Sequence, residues 1–545
     1  MNLILGRKGT GKSHIIYNQI KKCIEKGEDG LILIVPEQFT FQAERELIEV
    51  LDSPGILDVE VLSFSRLMSR LMEEVGGATK VKLSPTGKHM ALQKSLLDRQ
   101  EELSVYRGMV RKPGFIHEVQ DIIANLKKKM ICEEDLKEIL EKDLEDHQML
   151  SRKLKDITTL MESYNNWLGE EYLDNEGVID LLIDQMEGST TIPKLKIWID
   201  GFDTFTEQMF KFVEKLYVYS KELTISLTQI TNKEDRDVEI FLINENTQNK
   251  LMEMARGQAK LITTHYKQKD KRKDIEHLER ELYSYPLIPY EEKEENIKIR
   301  AFKNVYEELD YLCIDILKLV QEEGYRFRDI TVVTNDLGSY EFLVKRSFEE
   351  YNIPFFMDAK RKITDKPLSI LLIYSLRAIA YHFTYEDMFA LIKTGLTNLD
   401  YEEYEILENY VLKYGIKGSK WKNGFTQTQE SDEFDLEKLN SMRSSIIDPL
   451  LNLYEKIKGN PSFEHITIAL YEYMESLSIE EKLQKMLQEV KNEYGQYEYA
   501  AEIAQIYNIV MDLFDEVIEI FGDHKTSTRE YLDILESGIE CVDLS

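Results

Sequence analysis

The chain has 545 residues, with 100 acidic against 69 basic side chains and a formal net charge of −31. Its length predicts about three or four domains, and its acidity argues against a nonspecific DNA coat, because DNA affinity comes largely from Lys and Arg contacts to phosphate. No apolar run approaches the roughly 18 residues of a membrane span, and the N-terminus is not a signal peptide. We therefore expect a cytoplasmic protein with no membrane partner.

The first element combines an apolar strand, a glycine-rich loop and a helix. The loop reads Gly6-Arg7-Lys8-Gly9-Thr10-Gly11-Lys12-Ser13. This order of elements is the context that a Walker A phosphate loop requires. We expect residues 6–13 to bind a nucleoside triphosphate through loop amides and the helix N-terminus, with Lys12 reaching the β- and γ-phosphates and Ser13 ligating Mg²⁺. The alternative is a glycine-rich turn that binds nothing.

Two further strand–helix units follow the loop. Residues 30–35 and 59–62 are short and apolar, which is typical of strands in a parallel sheet. The first 70 residues therefore predict a βαβαβ nucleotide-binding sheet. Because ligands bind beyond the carboxyl ends of such strands, residues 36–40 and 63–66 either face a ligand or are plain turns.

The region from about residue 85 to 180 has a helical pattern, which predicts a domain inserted into the sheet. It contains two basic clusters, Arg107 with Arg111 and Lys112, and Lys127 to Lys129. Either cluster could contact phosphates, and the alternative is a solvated helix face.

The next strong apolar strand ends at Asp200, which is the pattern of a Walker B element. Asp200 would hold Mg²⁺ on the side opposite Ser13. Many hydrolysing phosphate-loop enzymes have Glu directly after this Asp, to orient the attacking water. Here the residue is Gly201, which predicts slow or absent hydrolysis unless Asp203 or Glu207, two weak catalytic candidates, substitutes for it.

A second α/β unit is predicted to begin near residue 297. Its expected strands are residues 297–302, 330–333 and 354–356, and its expected helices are residues 305–322 and 340–351. Residues 367–521 are predicted to be mostly helical, and residues 539–545 to start a strand.

The phosphate loop, residues 35–40, 61–67, 199–206 and 351–358 together resemble the AddB family, one of the two subunit types of bacterial AddAB helicase–deoxyribonucleases. The resemblance implies an α/β fold with two RecA-like parallel-sheet domains, each with a helical insertion, as in superfamily 1 helicases. The implied division is residues 1–80 plus 185–290 for the first RecA-like domain, 81–184 for its insertion, 291–366 for the first part of the second RecA-like domain, 367–530 for its insertion, and 531–545 for the start of a return to that domain.

Family members are longer than this chain. The resemblance implies that a nuclease domain with a [4Fe-4S] cluster lies in the part that is missing, so we expect this chain to have no nuclease activity and to bind no cluster. The implied partners are an AddA-type motor subunit, double-stranded DNA ends and single-stranded DNA. The implied role is to hold single-stranded DNA and recognise Chi during double-strand break repair by homologous recombination.

The same resemblance bears on hydrolysis. Superfamily 1 motors carry an Arg after the strand predicted at residues 330–333, and here Thr334 and Asn335 stand there. Such an Arg is worth ~10³ or more in rate, and Gly201 removes a second group. We therefore expect ATP and Mg²⁺ to be bound with weak turnover at most. The alternatives are an active superfamily 1 helicase motor and an unrelated phosphate-loop protein.

Three residues are candidate DNA contacts within this reading: Phe39, Phe64 and Arg66. Aromatic side chains beyond strand ends can stack on bases, at about 1–3 kcal/mol each. The alternative is that both Phe side chains belong to the core.

Overall fold

The protein forms two compact units in a computed structural model. The described residues are 1–52, 55–75, 80–112, 114–141, 148–169, 171–230, 236–264, 272–294, 296–357, 361–429, 434–492 and 497–544. The first unit comprises Met1–Gln229, Ile243–Thr264 and Lys362–Leu544, and the second contains Ile230–Leu242 and His265–Arg361. Asp358 and Ser545, which belong to predicted segments, lie outside the described residues.

The strands are β1 Asn2–Gly6, β2 Leu31–Ile34, β3 Val59–Leu62, β4 Val81–Lys82, β5 Tyr172–Leu173, β6 Lys196–Ile199, β7 Glu222–Thr228, β8 Lys260–Thr263, β9 Arg361–Lys362 and β10 Asp543–Leu544. The helices are α1 Lys12–Glu25, α2 Thr40–Leu51, α3 Phe64–Val75, α4 Pro85–Arg99, α5 Phe115–Lys128, α6 Glu133–Glu141, α7 Gln148–Leu168, α8 Asn175–Gln185, α9 Glu207–Tyr219, α10 Leu242–Met254, α11 Lys273–Glu281, α12 Val305–Glu322, α13 Leu337–Glu350, α14 Pro367–Ala380, α15 Tyr385–Ile392, α16 Tyr401–Tyr414, α17 Leu436–Ile457, α18 Phe463–Ser476, α19 Ile479–Asn492, α20 Tyr497–Phe521 and α21 Thr528–Cys541.

A six-stranded sheet organises the first unit, in the order β3-β2-β6-β7-β1-β8. All of its pairings are parallel: Leu3 lies opposite Ile225 on one side and Leu261 on the other, and β6 pairs with both β2 and β7. The carboxyl ends of the six strands therefore meet at one edge. The predicted α/β class with a parallel sheet and helical insertions is confirmed.

The short apolar strands form because both faces of the sheet are covered. Successive side chains point to opposite faces, so Ile4 and Leu33 enter a core with α1 and α2, while Leu5 and Ile32 enter a core with α3, α8 and α9. Strand β2 can be apolar at every position because neither of its faces meets water, whereas β3 and β8, at the two edges of the sheet, carry exposed side chains such as Glu60 and Lys260. This packing fixes the strand ends that carry the site.

The helices of the two predicted insertions share one apolar core within the first unit. Helix α21 packs along α4 and α14, and a Cβ added at Gly538 of α21 would lie 2.8 Å from Leu513 and 3.0 Å from Met90. None of the helices that the structure describes combines the length and apolar character of a membrane-crossing segment. The proposed domain boundaries stay a prediction, but the two helical regions are packed together.

The expected strand at residues 539–545 is helix in its first part. Residues 539–541 complete α21, and the strand is confined to Asp543–Leu544. The hydroxyl of Ser527 accepts a hydrogen bond from the Glu530 amide and caps the helix. Leu532, Leu535 and Ile539 recur at helical spacing and are buried. The predicted strand is thus confirmed only at its end, because periodicity alone does not show where a helix stops and a short strand begins.

The second unit contains the predicted helices α12 and α13, which pack around Cys313, Ile316, Phe348 and Ile353. The expected strands at residues 297–302, 330–333 and 354–356 are not formed; the backbone there is irregular. A strand persists only where a neighbour completes its hydrogen-bond ladder and covers its side chains. Here Val333 is 86% exposed and Phe356 is 92% exposed, so these segments lack the burial that a sheet would give them.

Buried ion pairs join the helices beside the sheet. Lys88 Nζ of α4 lies 2.7 Å from Glu176 Oε2 of α8, and Lys127 Nζ of α5 lies 2.7 Å from Asp174 Oδ2, at the N-cap of α8. Burial alone would raise the pKa of Asp174, but Lys127 and Lys88 outweigh it, and the pKa is lowered overall. Helices α4, α5 and α8 are therefore joined by ion pairs that are largely shielded from water.

We expect Lys88→Met to lower the free energy of unfolding by about 3–5 kcal/mol, because it leaves the buried Glu176 carboxylate without a cation. The control is Lys137→Met, which breaks the exposed pair between Lys137 and Glu162 and should cost little. Urea unfolding followed by circular dichroism measures both. Equal midpoints for the two variants would contradict the buried network.

Candidate nucleotide site

The phosphate loop is the turn between β1 and α1, as predicted. Gly9 and Gly11 have φ angles of 79° and 86°, a left-handed conformation that costs glycine little and other residues more. Gly11 is the N-cap of α1 and supplies no side-chain cap. The first amides of α1 thus have no intrahelical acceptor, which is the arrangement that binds anions at a helix N-terminus.

Thr264 closes the loop from the neighbouring strand. Its Oγ1 lies 2.6 Å from Thr10 Oγ1, and its amide donates to the Leu5 carbonyl oxygen at 2.8 Å. A Cβ at Gly6 would stand 1.9 Å from Thr264 Oγ1, so only glycine fits there. The sequence analysis could not identify Thr264, because no local pattern links it to a phosphate loop that lies more than 250 residues earlier in the chain.

Lys12 extends back over the loop. Its Nζ donates to the carbonyl oxygens of Gly6 at 2.9 Å and Arg7 at 3.0 Å. Burial lowers the pKa of Lys12; Asp200 opposes this shift and the neighbouring Lys8 adds to it. The ammonium group is therefore partly desolvated and held at the mouth of the loop, where a phosphate oxygen would be a stronger acceptor than a neutral carbonyl.

Asp200 and Ser13 line the same cavity, of about 740 Å³. Asp200 follows β6, is 6% exposed, and accepts a hydrogen bond from the Ser226 hydroxyl on β7. One strand, β7, separates β6 from the strand that carries the phosphate loop. A carboxylate and a hydroxyl on a shared wall are oxygen donors suited to Mg²⁺, and the volume is in the range of small-ligand sites.

Gly201 departs from the pattern of hydrolysing enzymes for a visible reason. Its φ angle is 83°, and a Cβ at this position would lie 3.2 Å from Pro36 Cδ. A larger residue there would be strained by the backbone and crowded by the proline. The turn after Asp200 is thus shaped for glycine.

Two further residues on the cavity wall were missed by the sequence analysis: Tyr17 of α1 and Glu46 of α2. The Tyr17 hydroxyl donates to Glu46 Oε2 at 3.1 Å. Burial, with Glu46 and Asp200 nearby, raises the pKa of Tyr17 well above its ordinary value, so the phenol stays a donor. Tyr17 follows Ser13 by one helical turn, so the helical spacing could have predicted that it lies on the same side of α1. No sequence pattern could have predicted Glu46, because only the packing of α2 brings it to the cavity.

The two weak catalytic candidates are not on the cavity wall. Asp203 is exposed and accepts from the Asn244 side chain at 3.3 Å. Glu207 begins α9 and pairs with Lys250. Both carboxylates thus contact residues away from the cavity. Asp203 influences the site only electrostatically, by raising the pKa of Lys12.

The candidate DNA contacts differ in exposure. Phe39 is 45% exposed and lines a small cavity that also touches Ser13 and Asp200. Arg66 is exposed on α3. Phe64 is only partly exposed, because its ring packs on Phe202, with centroids 5.1 Å apart, and on two other phenylalanines. The structure leaves Phe39 and Arg66 open and places most of Phe64 in the core.

Three of the six basic side chains in the two clusters of the helical region pair with carboxylates. Arg107 pairs with Glu101, Arg111 Nε lies 2.7 Å from Asp533 Oδ2, and Lys127 belongs to the buried network of α8. These three cations favour the structural alternative over a phosphate contact.

Comparison with known proteins agrees with the geometry. The family model described as "ADDB, N-terminal" matches residues 3–279, which includes the phosphate loop and Asp200. This span covers the six-stranded sheet and its first helical region.

Three relatives are named as the B-type component of an ATP-dependent helicase/deoxyribonuclease. The relative from Alkaliphilus metalliredigens is 37% identical over 98% of this chain, that from Alkaliphilus oremlandii is 38% identical over 98%, and that from Clostridium botulinum strain Loch Maree is 35% identical over 99%. In each case the match covers 48% of the relative, so the chain spans about half the length of these curated proteins. The chain belongs to the AddB family.

Proposed function

We propose that this chain is the nucleotide-binding and DNA-holding part of the AddB-type component of an ATP-dependent helicase–deoxyribonuclease. The observation that carries the proposal is the convergence of Lys12, Ser13 and Asp200 on one cavity. The names of the relatives support the assignment to such a complex.

The ligand of the site is ATP with Mg²⁺. The amides of residues 9–13 and the Lys12 ammonium would bind the β- and γ-phosphates. The Ser13 hydroxyl and the Asp200 carboxylate would hold the metal, which neutralises phosphate charge when bound. The Ser226 hydroxyl orients Asp200 through its hydrogen bond.

Binding without rapid turnover is the expected behaviour. The backbone at Gly201 disfavours a glutamate, and Asp203 and Glu207 are engaged elsewhere. In the second unit, Thr334 and Asn335 stand where superfamily 1 motors have an arginine. An active motor is the second candidate, supported by the intact phosphate loop.

The DNA partner is single-stranded DNA fed from a double-stranded end. Phe39 and Arg66 would contact it beyond the carboxyl ends of β2 and β3, with Phe64 supporting this edge from its aromatic cluster. Chi recognition, an AddA-type motor as the second subunit, and a cytoplasmic role in recombinational repair complete the proposal. The nuclease domain and its [4Fe-4S] cluster belong to the part of longer relatives outside this chain.

We expect Lys12→Ala to weaken ATP binding by about 10- to 100-fold, because it removes charge-assisted hydrogen bonds of about 1.5–3 kcal/mol. The control is Lys22→Ala, an exposed lysine in the last turn of the same helix. Titration with a fluorescent ATP analogue in the presence of Mg²⁺ measures both. Unchanged affinity of the Lys12 variant would remove the nucleotide site from the proposal.

Steady-state ATP hydrolysis separates the two candidate functions. We expect this chain to show slow turnover that single-stranded DNA does not raise, since two groups that accelerate hydrolysis are missing and one alone is worth ~10³. Lys12→Ala provides the background rate. Fast DNA-stimulated hydrolysis that this variant abolishes would establish the motor instead.

We expect Phe39→Ala to weaken binding of single-stranded DNA by about 1–3 kcal/mol, through loss of base stacking. Phe41→Ala is the matched control, since Phe41 is 77% exposed and lies two residues further along. Fluorescence anisotropy with a labelled oligonucleotide gives both affinities. If the two variants bind equally well, Phe39 is not a stacking residue.

A further inference from the structure

Several stretches of this acidic chain contain no carboxylate side chain, and two of them belong to the helical part of the first unit. These two are residues 366–385, which include Arg377 and His382, and residues 409–429, which include Lys413, Lys417, Lys420 and Lys422. In a chain with a net charge of −31, such stretches are the places where a local positive potential can form.

The fold brings the two stretches together at one loop, residues 381–383. The Gly418 amide donates to the Phe383 carbonyl oxygen at 3.1 Å. Lys422 Nζ lies 5.3 Å from the centre of the Phe383 ring and 4.6 Å from that of Tyr454. These contacts place the lysines of the second stretch beside the loop of the first.

Two arginines pack against Tyr381, the first residue of this loop. The guanidinium groups of Arg377 and Arg529 lie 5.3 Å and 5.0 Å from the centre of the Tyr381 ring. Arg377 also pairs with the buried Asp387, with Nε 2.9 Å from Oδ1. Stacking on a ring orients a guanidinium group while leaving its outer N–H groups able to donate.

The backbone of the loop is unusual. His382 and Phe383 are consecutive non-glycine residues with φ angles of 63° and 57°, a conformation that is sparsely populated for such residues. This turn leaves His382 exposed, while Phe383 is buried beneath Lys422. Strained turns of this kind cluster where a surface makes specific contacts.

Most cations at this surface have no ion-pair partner. Among the residues that the structure describes, Arg529, Lys417 and Lys422 are exposed and make no ion pair, although Asp533 interacts with Arg529 electrostatically. Arg377 is the exception, since it pairs with Asp387 and lies 3.8 Å from the half-buried Glu536. The unpaired positive charge of the patch therefore comes from the two lysines and Arg529.

We propose that Arg377, His382, Lys417, Lys422 and Arg529 form a basic patch that binds the phosphate backbone of DNA. The inference rests on the DNA-holding role proposed above and adds a contact surface on the helical part of the first unit. DNA is favoured over an acidic protein because the relatives are named as parts of a helicase/deoxyribonuclease. The patch would hold the backbone and would not read its sequence, since phosphate contacts carry no sequence information.

The test is a triple variant of the complete chain, Arg529→Gln with Lys417→Gln and Lys422→Gln, none of which lies in the nucleotide site. The matched control is Lys318→Gln with Lys485→Gln and Lys491→Gln, three exposed lysines elsewhere that give the same change in net charge. Anisotropy of a labelled oligonucleotide of about 20 nucleotides, longer than one typical single-strand site, measures affinity between about 50 and 200 mM salt. A blunt duplex is measured alongside it.

For the patch variant we expect DNA affinity to fall at least about tenfold, and the slope of log affinity against log salt to fall by about 2, because three phosphate contacts are lost. ATP binding should be unchanged. A merely misfolded variant would lose ATP binding too, and in that case Arg529→Gln alone, which removes an exposed side chain, should lower the slope by about 1.

If the wild-type chain binds DNA and the patch variant matches the lysine control in affinity and slope, the patch is wrong and the proposed function stands. If the wild-type chain binds neither DNA, both the patch and the DNA-holding role are wrong. Labelled polyglutamate serves as a second probe, standing in for an acidic protein. If the patch variant loses binding of polyglutamate but keeps that of DNA, the surface binds an acidic protein and the proposal is overturned.

Discussion

The parallel pairing of β1 with β7 and β8 is the constraint on which the nucleotide site depends. A parallel sheet brings every strand's carboxyl end to one edge, so residues far apart in the chain arrive together. Leu3 and Leu5 can both be buried in β1 because both faces of the sheet are covered there. The phosphate loop, Asp200 and Thr264 then follow from where their strands stop, and no residue of the site has to be positioned by a long loop.

The site separates two tasks that hydrolysing enzymes combine. The parts that grip a phosphate chain are present: left-handed glycines, free helix amides and a partly desolvated Lys12. The part that would activate water is replaced by a turn built around Gly201. Under the proposed function, a bound nucleotide would act as a ligand that stabilises one state by mass action.

The sequence predicted what is local. The strand–loop–helix at residues 6–13 and the Asp200 that ends β6 were both correct, because each signal lies within a few residues. Thr264 and Glu46 were not predicted, since packing alone brings them to the loop. Arg107 and Lys127 stood out as charge clusters, yet Glu101 and Asp174 neutralise them. The expected strand near residue 330 did not form, and the one near residue 540 is shortened to Asp543–Leu544. Burial decides between helix, strand and irregular backbone, and it is not a property of a short segment.

The turn after Asp200 also bears on how this family could change. Placing a glutamate at position 201 would take more than one substitution, because both the left-handed backbone and the contact with the Pro36 ring would have to change. The glutamate substitution alone would strain the turn without positioning a carboxylate to activate water. A change to glycine at such a position is therefore easier to make than to reverse.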